Sequence, residues 1–364
     1  MPAPAHYGAT TVKQETSGPA ADARTLRWGV VATGRIAHKV TRDLAQLEGA
    51  ELYAVSSRGR ASAEKFAREH GFALSYHDGP AGDGYRQLFA DPRVDVVYVA
   101  TPHAQHFGVV RAALEGGKHV LCEKPFTINA REATELVHLA KARGLFLMEA
   151  VWTRFLPATR RALELIGNGE IGTVRWVHAD LGFPAAYDPT DRLWDPAAGG
   201  GALLDLAVYP LTWAVAALGF PTGLTAKGHL NQDGVDVQNT LTLEYPEGAA
   251  AQLTSSLQAS GPGMATIGGT AGWIRTGSPL YNPRRLEICG LDGNVRVEEF
   301  PEETEGFIHE LRETARCIRS GLQESPLMPW AETVRVMQLL DQAREQMGLR
   351  YANDYGNGRQ VPAG

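Results

Sequence analysis

Two short motifs in the first half of the chain contain residue types that could carry out chemistry. One is Cys122-Glu123-Lys124-Pro125-Phe126, which places a lysine where an apolar, strand-like run ends. A lysine amine that is partly shielded from water can orient a substrate hydroxyl group or help to move its proton. This interpretation predicts an acid–base site at Lys124, and the alternative is a surface lysine that pairs with Glu123.

The second motif, Ala32-Thr33-Gly34-Arg35-Ile36-Ala37, joins an apolar run to a helical pattern. Dinucleotide-binding loops carry G-x-G-x-x-G or G-x-G-x-x-A at such a junction. Ala32 replaces the first glycine, whereas Gly34 and Ala37 keep the other two positions. A side chain at Gly34 would hold the backbone away from a pyrophosphate, and the amides of the next two residues can bind that anion. The motif predicts a dinucleotide site, with an ordinary strand-to-helix turn as the alternative.

The end of the second predicted strand bears on the choice of cofactor. An NAD enzyme usually carries Asp or Glu there, about 20 residues after the loop. This chain has Ser56-Ser57-Arg58, with Arg60 nearby. A carboxylate would repel a 2′-phosphate, while hydroxyl groups and a guanidinium can hydrogen-bond to it. The sequence therefore predicts NADP(H), unless the two arginines are solvated loop charges.

The motifs need a scaffold, and the pattern from residue 26 to residue 150 indicates one. Short apolar runs alternate with helical segments, and the run at 95–102 (DVVYVATP) is typical of a strand covered on both faces. This alternation predicts an α/β fold, with a Rossmann domain and its doubly wound parallel sheet at 25–150. Ligands of such sheets bind beyond the carboxyl ends of the strands, where Lys124 is expected.

The pattern changes after about residue 150. The predicted elements are a helix at 156–169, a strand at 173–183, an aromatic proline-rich loop at 183–200 and an apolar helix at 199–220. Seven short strands at 224–300 and two closing helices at 304–347 follow. Runs of strands joined by short turns predict an α+β domain with a large, open, mostly antiparallel sheet. We assign 151–350 to this substrate-binding and dimerisation domain, 1–24 to a flexible leader and 351–364 to a tail.

Composition limits the class of protein. A chain of 364 residues with 44% hydrophobic and 21% charged residues predicts a globular protein of two or three domains. A net charge of −6 offers no basic surface for nucleic acid. Three separated cysteines fit neither a disulfide framework nor a zinc spacing, which favours the cytoplasm. The apolar stretch at 199–220 contains Asp205 and Pro210, so we predict a buried helix and no membrane span.

The Glu123-Lys124-Pro125 motif, behind a Rossmann unit and before a large sheet domain, resembles the glucose–fructose oxidoreductase/inositol dehydrogenase (Gfo/Idh/MocA) family over about residues 25–350. The resemblance implies that Lys124 is catalytic and that the Lys124–Pro125 peptide bond is cis. The segment from Gly199 to Tyr209 resembles the family's second motif, a glycine pair followed by Asp-x-x-x-His on a helix, with Tyr209 in place of the histidine. A spacing of four predicts Asp205 and Tyr209 on one helix face.

Further segments resemble one branch of the family, the dimeric dihydrodiol dehydrogenases and the NADP-dependent xylose dehydrogenases. These segments are Glu149-Ala150-Val151-Trp152-Thr153-Arg154-Phe155 and Thr101-Pro102-His103-Ala104-Gln105-His106. Tyr209 also resembles this branch, and it resembles some sugar 3-ketoreductases as well. The second of the two segments resembles the loop beside the nicotinamide, which implies cofactor contacts from Thr101, Pro102 and His106 besides Glu123 and Lys124. The resemblance also implies a homo-oligomer formed through the exposed face of the large sheet.

The resemblance implies hydride transfer between NADP(H) and a secondary alcohol or carbonyl of a sugar or cyclic diol. Oxidation of such an alcohol requires removal of the hydroxyl proton, and Lys124 and Tyr209 can move it, with Asp205 orienting the pair. We expect the Lys124 ammonium to lower the pKa of the Tyr209 phenol. Which of the two is the final acid or base is left open. The alternatives are a ketoreductase for nucleotide-linked sugars, a cofactor-sensing regulator without catalysis and a subunit that serves assembly.

Aromatic and polar residues of the second half are candidates for the substrate pocket, because aromatic faces stack on sugar C–H groups and on arene rings. The candidates are Trp152, Arg154, Phe155, Phe183, Tyr187 and Trp194. Each one alone is also explained by core packing. His178 and Asp180 lie on one strand face without a third ligand, so no metal is predicted.

Overall fold

The computed structural model describes residues 24–80, 82–301 and 304–355. The leader that we assigned to 1–24 lies outside the described residues apart from Arg24, and so does the tail after Tyr355. The first described residues of that tail are packed into the molecule. Tyr351 is buried, and its hydroxyl donates a hydrogen bond to the Gly200 carbonyl oxygen at 2.6 Å.

The first six strands form one parallel sheet, which confirms the predicted Rossmann domain. They are β1 (Leu26–Val31), β2 (Ala50–Ser57), β3 (Leu74–His77), β4 (Val96–Val99), β5 (His119–Glu123) and β6 (Leu147–Ala150). Their spatial order is β3-β2-β1-β4-β5-β6, and all five neighbouring pairs are parallel. The order reverses between β1 and β4, the point at which such sheets bind ligands.

Helices cover both faces of this sheet, and all four residues of β4 are buried as predicted. The helices are α1 (Arg35–Leu44), α2 (Arg60–His70), α3 (Gly84–Ala90), α4 (His106–Glu115) and α5 (Ala130–Arg143). The side chain of Asn129 caps α5 by accepting a hydrogen bond from the Glu132 amide at 3.0 Å. Strand β3 was not predicted from the sequence, because its four residues include no β-branched side chain and are only partly buried.

The second half forms an eight-stranded sheet, which confirms the predicted open, mostly antiparallel arrangement. Its strands are β7 (Val174–Gly182), β8 (Gly223–Leu230), β9 (Asp236–Glu244), β10 (Ala250–Ser256), β11 (Ala265–Gly269), β12 (Gly272–Thr276), β13 (Arg285–Gly290) and β14 (Val295–Glu299). The order is β14-β13-β12-β11-β7-β10-β9-β8. Only β7 and β10 are parallel neighbours among the described strands of this sheet. Whether this sheet forms an oligomer interface stays a prediction.

Five helices accompany this sheet: α6 (Pro157–Gly167), α7 (Ala202–Asp205), α8 (Val208–Leu218), α9 (Ile308–Arg319) and α10 (Trp330–Met347). The single apolar helix predicted at 199–220 is wrong in one respect, because the chain breaks between α7 and α8. Pro210 has no amide to donate to the Leu206 carbonyl, and its ring would clash with that carbonyl in a continuous helix. No single described helix is long and apolar enough to cross a membrane; the bent pair Pro196–Asp205 and Val208–Leu218 passes only on length and composition.

The last two helices return to the Rossmann domain and fix the two domains against each other. The Asp43 carboxylate of α1 accepts hydrogen bonds from the Ile308 and Glu305 amides at 3.0 and 3.1 Å. The Trp330 indole donates to the Leu147 carbonyl oxygen at 2.8 Å. These contacts join the segments where α9 and α10 begin to the Rossmann domain.

Candidate active site

A cavity of about 2420 Å³ opens between the two domains. Its Rossmann side is formed at the carboxyl ends of β1, β2, β4 and β5, and its other side at the end of β7 and at the break between α7 and α8. Sites for a single small molecule usually have about 300–1,000 Å³. The cavity therefore has room for a dinucleotide and a second molecule.

The loop after β1 fits an anion at the start of α1. Gly34 precedes the helix, and no side chain caps the first amides, which are left for a ligand. A Cβ atom built on Gly34 would meet no protein atom within 4 Å, so this loop is open to the cavity. Ala32 has a φ of 82°, in the left-handed region that disfavours a side chain. This conformation explains why glycine is usual at this position of the fingerprint.

The end of β2 brings hydroxyl groups and one cation to the same cavity. The hydroxyl oxygens of Thr33 and Ser57 lie 3.2 Å apart, and both residues line the cavity together with Arg58. Arg60 instead pairs with Glu64 at 2.7 Å, one turn further along α2. Of the two predicted arginines, only Arg58 faces the cavity.

The loop after β4 departs from the sequence prediction at one histidine. Thr101, Pro102 and His103 line the cavity, whereas the predicted residue His106 is fully buried and does not. Its two ring nitrogens lie 2.9 Å from the carbonyl oxygens of Thr101 and Pro125. His106 therefore joins the loop after β4 to the loop after β5, and His103 takes the position that faces the cavity.

The structure brings together the three predicted catalytic side chains, which come from opposite domains. The Lys124 ammonium donates to the Asp205 main-chain carbonyl oxygen at 2.7 Å and lies 3.8 Å from the Asp205 Oδ1 atom. It also lies 4.7 Å from the centre of the Tyr209 ring. The Lys124–Pro125 peptide bond is cis, as the resemblance implied. Lys124 is directed to the second domain, so the surface pair with Glu123 does not form.

The Glu123 carboxylate holds the main chain at Lys124 in place through a hydrogen bond. This carboxylate accepts hydrogen bonds from the Tyr98 hydroxyl at 2.5 Å and from the Lys124 amide at 3.2 Å. Burial raises the pKa of Glu123, although these bonds and the Lys124 charge oppose the rise. Glu123 lines the cavity and holds the backbone from which the Lys124 side chain extends.

The Tyr209 hydroxyl is held by a residue that the sequence assigned only to substrate binding. The Trp152 indole donates a hydrogen bond to the Tyr209 oxygen at 3.1 Å. Burial raises the pKa of Tyr209 well above its usual value, and the negative charge of the nearby Glu123 carboxylate adds a smaller rise. The prediction that Lys124 lowers this pKa is therefore wrong, because the ammonium lies over the ring face of a buried phenol. The phenol stays protonated, and its oxygen already accepts one hydrogen bond.

Asp205 is surrounded by two residues that were not predicted as site residues. Its Oδ1 atom lies 3.0 Å from an Arg192 guanidinium nitrogen and 3.7 Å from the His103 Nε2 atom. Burial would raise the pKa of Asp205, but the charges of Lys124 and Arg192 lower it well below its usual range. Burial lowers the pKa of His103 to about 3, so this ring is neutral. The sequence offered only a general indication of such neighbours, because a buried carboxylate needs cationic partners but the sequence does not show which residues they are.

Two of the predicted substrate residues line the cavity, Trp152 and Phe183. Trp152 is also fixed by its stacking on Phe307, with ring centres 4.2 Å apart. Phe183 is 41% exposed and follows the last residue of β7. These two rings are placed to contact a second ligand beside Tyr209.

The other candidates do not reach the cavity. Arg154 forms an ion pair with Glu332 and donates to the Leu327 carbonyl oxygen, which holds α10 in place. Phe155 is buried in the core. The Trp194 indole donates to a main-chain carbonyl, and its ring packs edge-on against Tyr187. Their roles are therefore in packing the structure around the site.

A buried carboxylate of β6 supports the turn after Lys124. The Phe126 amide donates to the Glu149 carboxylate at 2.9 Å. Burial raises the pKa of Glu149 to about 7, above the value of about 4.3 for an exposed glutamate. Between these two pH values the folded protein holds a proton that the unfolded chain has released. The free energy of unfolding therefore falls as the pH rises through this window.

We expect Glu149→Gln to abolish the fall in the free energy of unfolding with rising pH, because glutamine does not ionise. The variant should match the wild type near pH 5 and exceed it at pH 8, by up to about 3 kcal/mol in the free energy of unfolding. Urea unfolding at both pH values measures the difference. Glu135→Gln on the surface of α5 is the matched control and should leave the pH dependence unchanged. Parallel curves for Glu149→Gln and the wild type would contradict the expectation.

Comparison with protein families and known proteins agrees with this geometry. Residues 26–151 match the model of an oxidoreductase family with an NAD-binding Rossmann fold, and residues 159–275 match the GFO/IDH/MocA C-terminal domain. The chain is 35% identical over 343 residues to trans-1,2-dihydrobenzene-1,2-diol dehydrogenase of Mus musculus, covering 90% of this chain and 99% of the relative. It is 36% identical over 368 residues to D-xylose 1-dehydrogenase (NADP+) of Hypocrea jecorina, covering 90% and 93%.

A solved structure is similar over the same range. It is a 3-ketoreductase from Actinomadura kijaniata in complex with NADP and TDP-benzene, which superposes with a TM-score of 0.80 at 27% identity. The match covers 89% of this chain and 98% of the ketoreductase. The similarity therefore extends over both domains.

Proposed function

This chain belongs to the GFO/IDH/MocA oxidoreductase family, and on that premise we propose that it transfers hydride between NADP and a sugar or cyclic diol. The reacting group would be a secondary alcohol or its carbonyl. The coarser activity, that of an NAD(P)-dependent oxidoreductase acting on CH–OH groups, follows from the family and its relatives. The observation that carries the proposal is the meeting of Lys124, Asp205 and Tyr209 in one interdomain cavity.

The cofactor half of the cavity fits a dinucleotide. Gly34 and the free amides of α1 would hold the pyrophosphate, and Thr33, Ser57 and Arg58 would surround the adenosine ribose. When bound, the nicotinamide accepts or supplies the hydride. Lys124 and Tyr209 line the same cavity as Trp152 and Phe183, so the substrate would lie between these four side chains.

The protein's own residues would move and hold the proton. The protonated Tyr209 phenol can donate to the substrate oxygen when a carbonyl is reduced, because its oxygen is already held by Trp152. Lys124 can donate a second hydrogen bond to that oxygen and stabilise the negative charge that develops on it. The ionised Asp205 carboxylate keeps the ammonium in place and can accept a hydrogen bond from a neighbouring substrate hydroxyl.

A spectrophotometric screen at the absorbance of NADPH tests the proposal. The purified chain is assayed with NADP+ against aldoses, inositols and trans-dihydrodiols, and with NADPH against ketoses and dicarbonyls. We expect turnover with at least one class that carries a secondary alcohol next to a second hydroxyl. NADPH binding without turnover of any class would instead support a cofactor-sensing regulator.

A nucleotide-sugar ketoreductase is the second candidate, and the likeness to the NADP-bound 3-ketoreductase favours it. Arg192 lines the cavity, is partly exposed and lies beside Asp205, so a cation is available at the substrate end. A TDP-linked keto sugar belongs in the same screen. Turnover of that compound in preference to free sugars would select this candidate.

We expect Arg58→Ala to raise the KM for NADPH at least about 10-fold and to leave the KM for NADH nearly unchanged. The guanidinium at the end of β2 is placed to bind a 2′-phosphate, and NADH lacks this group. Steady-state kinetics with the best substrate of the screen measure both constants. Arg60→Ala is the matched control, because that side chain pairs with Glu64. Equal use of NADH and NADPH by the wild type would contradict the assignment.

A further inference from the structure

Three side chains with metal-binding atoms meet on the Rossmann domain, and none of them lines the cavity. They are His38 of α1 and two neighbours at the end of α2, Glu69 and His70. The sequence analysis did not find this group, because His38 and His70 are 32 residues apart on different helices. None of the three has a part in the chemistry proposed above.

The spacing of the three atoms fits one metal ion. The His38 Nδ1 and His70 Nε2 atoms share a hydrogen bond at 2.8 Å, and a metal ion would replace the proton between them. The Glu69 Oε1 atom lies 3.5 Å and 3.9 Å from these two nitrogens. The circle through the three atoms has a radius of about 2.0 Å, so an ion at an ordinary bond length would lie in their plane. The half-exposed Glu69 carboxylate and the His38 ring must therefore shift to form a tetrahedral arrangement with water. Zinc binds histidine nitrogen at about 2.0–2.1 Å and carboxylate oxygen at about 2.0–2.2 Å.

The two imidazole rings are held in position by a buried aromatic ring. The centre of the Phe66 ring lies 4.5 Å from that of His38 and 4.4 Å from that of His70. Phe66 belongs to the core, and the His70 side chain is only 8% exposed. Glu69 is 47% exposed, so solvent reaches the group from its side. The arrangement has two fixed nitrogen ligands, one adjustable oxygen ligand and an open side for water.

The charges around the group do not oppose a cation strongly. Arg42 of α1 is the nearby cation that acts on His70, and its guanidinium is paired with Glu305 at 2.8 Å. Glu69 itself contributes one negative charge directly at the group. A divalent ion here would therefore meet one carboxylate and two neutral imidazoles, a donor set that suits zinc.

We propose that His38, Glu69 and His70 form a binding site for Zn²⁺, with water as the fourth ligand. The ion joins α1 to the end of α2. Both helices follow the loops that carry the predicted cofactor contacts, at Gly34 and at Arg58. Zinc bound here stabilises the Rossmann domain from outside the cavity.

The test uses the full chain without a histidine tag, after dialysis against a chelator. Zn²⁺ is titrated in competition with a chromophoric chelator, and the unfolding temperature is measured with and without the ion. We expect one equivalent of bound zinc and a higher unfolding temperature in its presence. Loss of groups that only support metal ligands costs about 10- to 100-fold in affinity, so His38→Ala and Glu69→Ala should each cost at least about 10-fold.

His229→Ala is the matched control, since this histidine is exposed on β8 in the other domain. Its zinc affinity should equal that of the wild type. Co²⁺ in place of zinc should give visible absorption bands typical of a four-coordinate site, and His38→Ala should abolish them. If His38→Ala does not fold, the half-exposed position Glu69 still provides the comparison.

Absence of saturable zinc binding in the wild type would overturn the proposal. So would an unchanged affinity in both His38→Ala and Glu69→Ala, because the ion would then be bound elsewhere. The proposal does not depend on the oxidoreductase reaction. A chain that binds zinc but turns over no substrate would retain this site and lose only the proposed function.

Discussion

We expect Lys124→Met to lower kcat at least about 100-fold while NADPH still binds, because a positioned proton donor typically contributes about 10²–10⁴-fold. Methionine keeps an unbranched side chain of similar length but removes the ammonium. That ammonium lies 2.7 Å from the Asp205 carbonyl oxygen and over the Tyr209 ring. Lys124 directly follows β5 and lines the interdomain cavity. Loss of the ammonium removes a hydrogen bond that would strengthen as charge develops on the substrate oxygen.

The measurement combines steady-state turnover with NADPH fluorescence, so that a loss of chemistry is distinguished from a loss of cofactor binding. Lys141→Met, at an exposed position near the end of α5, is the matched control and should keep wild-type turnover. Lys124→Arg tests whether charge alone is sufficient. Near-normal turnover of Lys124→Met would contradict a catalytic role for the only lysine that contacts Asp205 and Tyr209 in the described residues.

The fold could be predicted from local patterns wherever these were strong. The four buried residues of β4 were visible as composition, and the alternation of apolar and polar residues at 173–183, which forms β7, was visible as period. Strand β3 was missed because its pattern is weak. The break before α8 had a signal in Pro210, which was used only to argue against a membrane span. A proline in the first turn of α8 fixes where that helix begins.

The sequence could predict which strand ends form the site, but not which side chains at those strand ends face the cavity. Sequence position placed Thr101 and Lys124 at the correct edge of the sheet. It could not decide which histidine of one short turn faces the cavity, and the structure selects His103 over His106. The partner of Arg154 is Glu332, 178 residues away, and only the packed fold brings that carboxylate within reach.

The same limit explains the wrong expectation for Tyr209. A cation near a phenol lowers its pKa only if it lies close to the oxygen and if burial does not dominate. Sequence spacing could not show that the Lys124 ammonium lies over the ring or that the hydroxyl is buried beside Trp152. Both facts favour a neutral phenol, which is the form required for the proposed proton donor in the reductive direction.

We therefore expect Tyr209→Phe to lower kcat for carbonyl reduction at least about 100-fold, with little change in NADPH binding. The substitution keeps the ring that packs against Tyr281 and lies below Lys124, so the geometry of the lysine should be preserved. Only the hydroxyl is removed. Turnover for carbonyl reduction, measured from pH 6 to pH 10, should be lower by a similar factor throughout, because the phenol stays protonated over this range.

The matched control is Tyr245→Phe, which removes a buried hydroxyl that has no hydrogen-bond partner in the described part of the chain. Tyr209→Phe also leaves the Trp152 indole without its acceptor, and this could lower turnover by moving Trp152. Trp152→Phe separates the two effects, because it removes the indole donor and keeps the Tyr209 hydroxyl. A large loss in Tyr209→Phe and a small one in Trp152→Phe assign the proton to Tyr209. Equal losses in both would mean that the hydrogen-bonded pair acts only as a support, and that Lys124 alone supplies the proton.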